Sequence, residues 1–284
     1  MTLKELFPKN MLIVKRKTVY KMSETFTSAV TLSGLRKVFN LDGKNEIVAL
    51  EDIDLTVGQN EFISLIGPSG CGKSTLLRLV AELITATDGD IEVFGKTAHQ
   101  ARLDQDHAMA FQSAGLFDWR TVRTNIELPL ELKGWPKAAR RVRSEEMLEL
   151  VKLADFADHY PWQLSGGMQQ RVAIARCLAF EPKLLLMDEP FGALDEMTRE
   201  HMQSELLSIY NQLKATIVFV THSVPEAVFL STKVVVMSPR PGRIHSVIGI
   251  DLGSRNEATR NDPRFFAMTG EVREALHSVG VSAA

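Results

Sequence analysis

Residues 65–76 read LIGPSGCGKSTL: two apolar residues, three glycines and a lysine-serine pair in twelve positions. Glycine in that density weakens regular structure, so the stretch points to a contact that side chains would obstruct. The flanks fix its meaning. Glu61-Phe62-Ile63-Ser64-Leu65-Ile66 is a short apolar run that reads as a buried strand. Beyond it, Leu76, Leu79, Val80 and Leu83 recur at helical spacing and predict one apolar face of a helix over 73–84. Strand, glycine loop and helix is the setting that G-x-x-x-x-G-K-[ST] requires, and Gly67 to Ser74 match every fixed position. The expected nucleotide contacts are Gly67, Pro68, Ser69, Gly70, Cys71, Gly72, Lys73, Ser74 and Thr75. The loop amides turn inward around phosphate oxygens at the positive end of the helix. Lys73 reaches the β- and γ-phosphates, and the Ser74 hydroxyl ligates Mg²⁺. Amides aimed at an anion also favour a thiolate, so Cys71 is expected to be a reactive thiol that a bound nucleotide protects.

The rest of the composition is that of an ordinary folded chain. Its 284 residues are 45% hydrophobic and 24% charged, with a formal net charge of −2, enough for one large α/β domain or two small ones. That balance argues against nucleic acid as a partner. Cys71 and Cys177 form neither a disulfide framework nor a metal spacing. No apolar run reaches the length of a transmembrane helix. Residues 1–29 read as a flexible extension without a signal-peptide core, and Met22 is an alternative start to Met1.

Strands are predicted at 30–38, 47–57, 61–66, 91–94, 108–112, 183–188, 216–221, 233–238 and 243–251. Helices are predicted at 73–84, 137–153, 166–180, 195–213 and 224–230, with a final one near 263–278. The first ninety residues carry strands without helices between them and suggest an antiparallel layer. The C-terminal half alternates helix and strand, as a parallel sheet does. Residues 115–165 form a mostly helical insertion, and 256–284 a short tail with a helix.

A phosphate cradle alone leaves kinases, GTPases and ATPases open. Lys183-Leu184-Leu185-Leu186-Met187-Asp188-Glu189 narrows the choice, because a buried strand ends in two carboxylates. A buried carboxylate is costly unless a cation compensates it, which suits Asp188 to holding Mg²⁺ opposite Ser74. Glu189 is then free to orient and deprotonate the attacking water. Between the two motifs lies Leu164-Ser165-Gly166-Gly167-Met168-Gln169, where a serine and two glycines open a long helix. It is either a plain N-cap or a second anion-binding terminus. One nucleotide seldom needs two such ends from one chain, which suggests that Ser165, Gly166 and Gly167 cap a phosphate bound to another copy.

LSGGMQQR, together with GPSGCGKST and LLLMDEPFGALD, resembles the nucleotide-binding subunit of an ATP-binding-cassette (ABC) transporter over about residues 30–250. The resemblance implies a P-loop NTPase fold of the ABC ATPase type: a RecA-like parallel core, an antiparallel β layer and a helical signature subdomain. It implies ATP and Mg²⁺ as ligands, and Glu189, His222, Lys73 and Gln112 as the catalytic set. Gln112 adds a metal contact beside Ser74 and Asp188, Asp195 lies in a D-loop, and Phe39 stacks on adenine. It further implies a head-to-tail dimer with a second copy, sandwiching ATP. The other partners are transmembrane permease subunits and, indirectly, a periplasmic or extracellular solute-binding protein. The chain is placed peripherally at the cytoplasmic face of the membrane. Met-Ser-Pro-Arg-Pro-Gly-Arg-Ile at 237–244 resembles the nitrate, sulfonate and taurine import branch. The competing reading is a soluble ABC ATPase in a non-transport role.

Overall fold

The computed structural model describes residues 28–40, 45–213 and 215–281. Residues 1–27, and with them the choice between Met1 and Met22, lie outside the described residues. The last two residues assigned to the extension do not belong to it: Ser28 and Ala29 open β1, and Ala29 is buried in the antiparallel sheet. Among the described residues, ten strands fall into two sheets. The first is antiparallel: β1 (Ser28–Phe39), β2 (Ile47–Gly58), β4 (Asp88–Val93) and β5 (Lys96–Thr97), in the order β2-β1-β4-β5. The second runs β10-β9-β3-β8-β7-β6, from β3 (Phe62–Ile66), β6 (His107–Ala110), β7 (Leu184–Asp188), β8 (Thr216–Val220), β9 (Lys233–Met237) and β10 (Ile244–Gly249). Its neighbours are parallel except β10, which returns antiparallel on β9. The nine predicted strands all form. The two-residue β5 was too short to leave a pattern.

The core strands read as predominantly apolar runs because both of their faces are covered. Along β3, Phe62 and Ile66 enter one apolar cluster while Ile63 and Leu65 enter the other. Leu185 and Met187 of β7 alternate in the same way with Leu184 and Leu186. One cluster lies between the two sheets and contains α1 (Lys73–Val80). The other packs the opposite face against helices that include α5 (Gly166–Leu178) and α7 (Val224–Leu230). α6 (Glu196–Leu213) and α8 (Pro263–Val281) contribute Met202, Leu206, Phe265 and Val272 to it.

Two helices were missed from sequence: α2 (Ala98–Leu103) and α3 (Val122–Leu132). α3 contains Pro129, which disguises a helix whose start is marked by Thr121, the side chain of which accepts from Thr124 N. It packs with α4 (Lys137–Leu150) in the helical insertion. α1 is shorter than predicted. It stops at Val80, Glu82 takes a left-handed φ of 52°, and Leu83 N closes back on Arg78 O at 2.9 Å. Leu83 is consequently 50% exposed rather than on the buried face.

Candidate nucleotide site

Parallel pairing brings the ends of β3, β6, β7 and β8 to one edge of the core sheet, the edge where such sheets present ligand-binding loops. β3 delivers the glycine loop, β7 delivers Asp188 and Glu189, and β8 delivers Thr221 and His222. Gln112 follows two residues after β6. These segments surround a cavity of about 570 Å³. Its walls include Phe39, Ser69, Gly70, Gly72, Lys73, Ser74, Thr75, Gln112, Glu189, His222 and Arg240.

The loop requires its glycines. Gly72 has φ 101°, and a Cβ there would come within 2.6 Å of the Leu50 side chain and 3.1 Å of the Ala49 carbonyl. Lys73 is 7% exposed, and its Nζ donates to the Gly67 and Pro68 carbonyls at 2.8 and 3.1 Å. The ammonium is thus folded back beneath the loop. Ser74 Oγ donates to Asp188 Oδ1 at 2.8 Å, and Asp188 is 3% exposed. A hydroxyl and a buried carboxylate in contact form a hard-oxygen pair of the kind Mg²⁺ takes.

Glu189 stands between two polar side chains. His222 Nδ1 lies 2.9 Å from its Oε1, and Gln112 Nε2 donates to its Oε2 at 3.1 Å. Its backbone is left-handed at φ 48°, with its N–H on the Val220 carbonyl, so the turn after β7 aims the carboxylate across the end of β8. Beneath His222, Thr221 donates to the buried Glu226 carboxylate, which also accepts from Gln203 Nε2 at 2.8 Å. Burial pushes the Glu226 carboxyl above its usual range, and the Thr221 and Gln203 hydrogen bonds oppose that shift.

Phe39 is at the cavity rim, 36% exposed, with the Lys37 ammonium 5.0 Å from its ring centre. The cavity walls contain no signature residue, so one chain does not bring Ser165, Gly166 or Gly167 to this site. Ser165 caps α5 by accepting from Met168 N at 3.3 Å, and a Cβ on Gly166 would meet nothing within 4 Å. This chain's own packing therefore imposes no glycine at 166. The expectation of a reactive Cys71 is overturned. Its thiol is 0% exposed in the apolar layer under the loop and receives the Lys73 ammonium at 3.6 Å, away from the cavity walls.

Sequence reading also missed the fastening of the Gln112 loop. Gln170 donates to the Phe111 carbonyl at 3.0 Å, and Arg176 donates to the Gly115 and Ala114 carbonyls at 2.8 and 3.0 Å. The signature helix α5 thus holds the segment that follows β6. The only trace in the sequence is the polar Gln170 on an otherwise apolar helix face.

The family model described as ABC transporter matches residues 50–192. An uncharacterised ABC transporter ATP-binding protein of Methanocaldococcus jannaschii is 49% identical over 228 residues, 80% of this chain and 84% of that protein. The chain belongs to the ABC transporter ATP-binding family. The aliphatic sulfonates import ATP-binding protein of Bacillus subtilis is 45% identical over 232 residues, covering 81% of this chain and 89% of the relative. Similarity extends to family members named for taurine and nitrate import. Among solved structures, a dimeric ATP-binding cassette in a post-hydrolysis state with ADP and Pi superposes with a TM-score of 0.72. It is 33% identical, and the match covers 78% of this chain and 99% of that one. The ABC cassette has the P-loop ABC ATPase fold expected from the motifs, and it is an ATP hydrolase. No helix among the described residues is long and apolar enough to cross a membrane.

Proposed function

We propose that this ABC cassette binds and hydrolyses ATP to energise solute import through a separate membrane permease of the nitrate, sulfonate and taurine branch. The observation that carries the reading is the placing of Glu189 between Gln112 and His222, beside a phosphate loop. Residues 30–255 are the nucleotide-binding unit, with its helical subdomain at about 115–165 and a tail from 256. The permease places the chain peripherally at the cytoplasmic membrane face, and a solute-binding protein outside supplies the solute.

ATP lies with its phosphates in the 67–74 loop and its adenine on Phe39. Ser74 and Asp188 would hold Mg²⁺, with Gln112 as a further contact. The Ser74 hydroxyl in contact with the Asp188 carboxylate fits an ion bound by one carboxylate, a hydroxyl, waters and substrate phosphates. Bound there, the ion would supply charge neutralisation to the triphosphate. Lys73 leaves the Gly67 and Pro68 carbonyls for phosphate oxygens. Glu189 takes a proton from the water that attacks the γ-phosphorus. The bond to the β-γ bridging oxygen breaks, and ADP and inorganic phosphate result. His222 keeps the carboxylate in register and contacts the γ-phosphate. A second copy completes each site with its Ser165, Gly166 and Gly167. The open space at Gly166 and the dimeric cassette support that reading.

The test is MgATP hydrolysis by the purified chain, alone and reconstituted with its permease, with Lys73→Ala as the control. Hydrolysis that is stimulated by the permease and lost in the variant is expected. Activity that survives Lys73→Ala, or that ignores the permease, overturns the assignment.

A further inference from the structure

The turn between β9 and β10 carries a cation that has no part in the chemistry above. Arg240 lies at its tip and forms part of the cavity wall with Phe39, Lys73 and Glu189. Nη2 of Arg240 makes one long hydrogen bond, 3.4 Å, to the Gly70 carbonyl in the phosphate loop. Three residues on, Arg243 is engaged by Glu51 and Asp52 at 2.6 and 2.8 Å, whereas Arg240 has no carboxylate partner among the described residues.

The turn is fastened to both neighbours. Gly242 N donates to Ala49 O and Glu51 N donates to Gly242 O, each at 3.0 Å, which ties it to β2. A Cβ on Gly242 would lie 1.9 Å from the Cys71 carbonyl, so the turn's backbone rests directly on the phosphate loop. Arg243 N donates to Ser238 Oγ at 3.0 Å and closes the turn internally. Arg240 is therefore mounted on a scaffold packed directly against the loop, while its own head is exposed and weakly held.

The charge balance of the cavity calls for such a group. Its ionisable walls are Lys73, Glu189, His222 and Arg240. A nucleoside triphosphate stays anionic after Mg²⁺ has bound, and Glu189 adds a negative charge next to it. Lys73 alone offsets little more than Glu189. A planar guanidinium suits phosphate oxygens, which it can take two at a time.

We propose that Arg240 is a nucleotide-binding residue whose guanidinium takes phosphate oxygens of the nucleotide held by its own chain's 67–74 loop. In doing so it gives up the weak bond to Gly70 for charge-assisted ones. This rests on the MgATP reading above.

The test is calorimetric titration of MgATP into the full chain and its Arg240→Ala and Arg240→Lys variants, each at a concentration where the apo chain is monomeric. Loss of a charge-assisted phosphate contact at an exposed position predicts a Kd weaker by about tenfold in Arg240→Ala. Arg240→Lys keeps the charge without the fork and should lose less, about threefold. Melting of the nucleotide-free variants should match wild type, which separates a lost contact from a damaged turn. A wild-type chain that fails to bind MgATP removes the MgATP reading and this one with it. Normal wild-type binding with Arg240→Ala within about twofold removes this inference alone. Unchanged monomer affinity with weakened ATP-driven dimerisation also overturns it, because Arg240 would then serve the second copy.

Discussion

Replacing Glu189 with glutamine isolates proton abstraction from everything else the residue does. Glu189 Oε1 faces His222 Nδ1 at 2.9 Å, and Oε2 accepts from Gln112 Nε2 at 3.1 Å. In Glu189→Gln the amide oxygen still accepts from Gln112, and the new N–H₂ group donates to His222 Nδ1 once the ring carries its proton on Nε2. Both contacts survive, so the fold and the cavity shape survive with them, and the melting temperature should stay within about 2 °C of wild type. What disappears is basicity. General-base catalysis is worth about 10²- to 10⁴-fold, and each tenfold is about 1.4 kcal/mol of barrier, so the chemical step should slow by about 3 to 5 kcal/mol. Affinity should hold or improve, because a negative charge has been removed beside the phosphates. Single-turnover phosphate release from preloaded MgATP reads the chemical step, and equilibrium titration reads binding. Release within about fivefold of wild type, with normal binding, would remove Glu189 as the base.

Three further outcomes follow from the same geometry. Lys73→Ala and Ser165→Arg should each inactivate both sites of their homodimers. Random mixing should restore about a quarter of wild-type sites in single-turnover hydrolysis, since both lesions of a mixed dimer fall in one shared site; verified mixed dimers with no hydrolysis would return Ser165 to a plain helix cap. Both thiols are buried, and burial raises the Cys177 thiol to about 11, so a thiol reagent at pH 8 should label neither until the chain is denatured. Rapid labelling of the native chain at Cys71, with protection by MgATP, would show that its side chain reaches the cavity after all. Glu226 titrates above the usual carboxylate value when folded, so between those two values the native state binds more protons than the unfolded state and loses stability as pH rises. The stability advantage of wild type over Glu226→Gln should accordingly shrink from pH 4.5 to 7.5 in thermal melts; a constant or growing difference would contradict the raised carboxyl.

The residues that make the phosphate loop were legible because their chemistry is local. Gly72 needs its left-handed backbone wherever the chain goes, and Lys73 and Ser74 act from fixed positions on the same turn. The buried strands were legible for a related reason: with both faces of β3, β7 and β8 covered, most residues must be apolar, and the run shows in one dimension despite the hydrogen-bonded Ser64 and Thr216 within it. Asp188 and Glu189 stood out as charges at the end of such a run. Local signals failed where a neighbour decided the outcome. Pro129 hid α3, and the turn at Glu82 took Leu83 out of the apolar face that its spacing implied.

Tertiary structure alone decided which distant residues share the cavity. Gln112, Glu189 and His222 meet because β6, β7 and β8 are parallel and adjacent, and the order β10-β9-β3-β8-β7-β6 cannot be read along the chain. The direction of the Cys71 thiol, into the apolar layer beneath the loop, was decided by tertiary packing. Arg240 reached Gly70 from 170 residues away because Gly242 has no side chain to keep the two backbones apart. A sequence specifies backbone freedom and burial residue by residue. Contact between residues far apart is set by the packing of whole sheets and turns, and only the folded chain contains it.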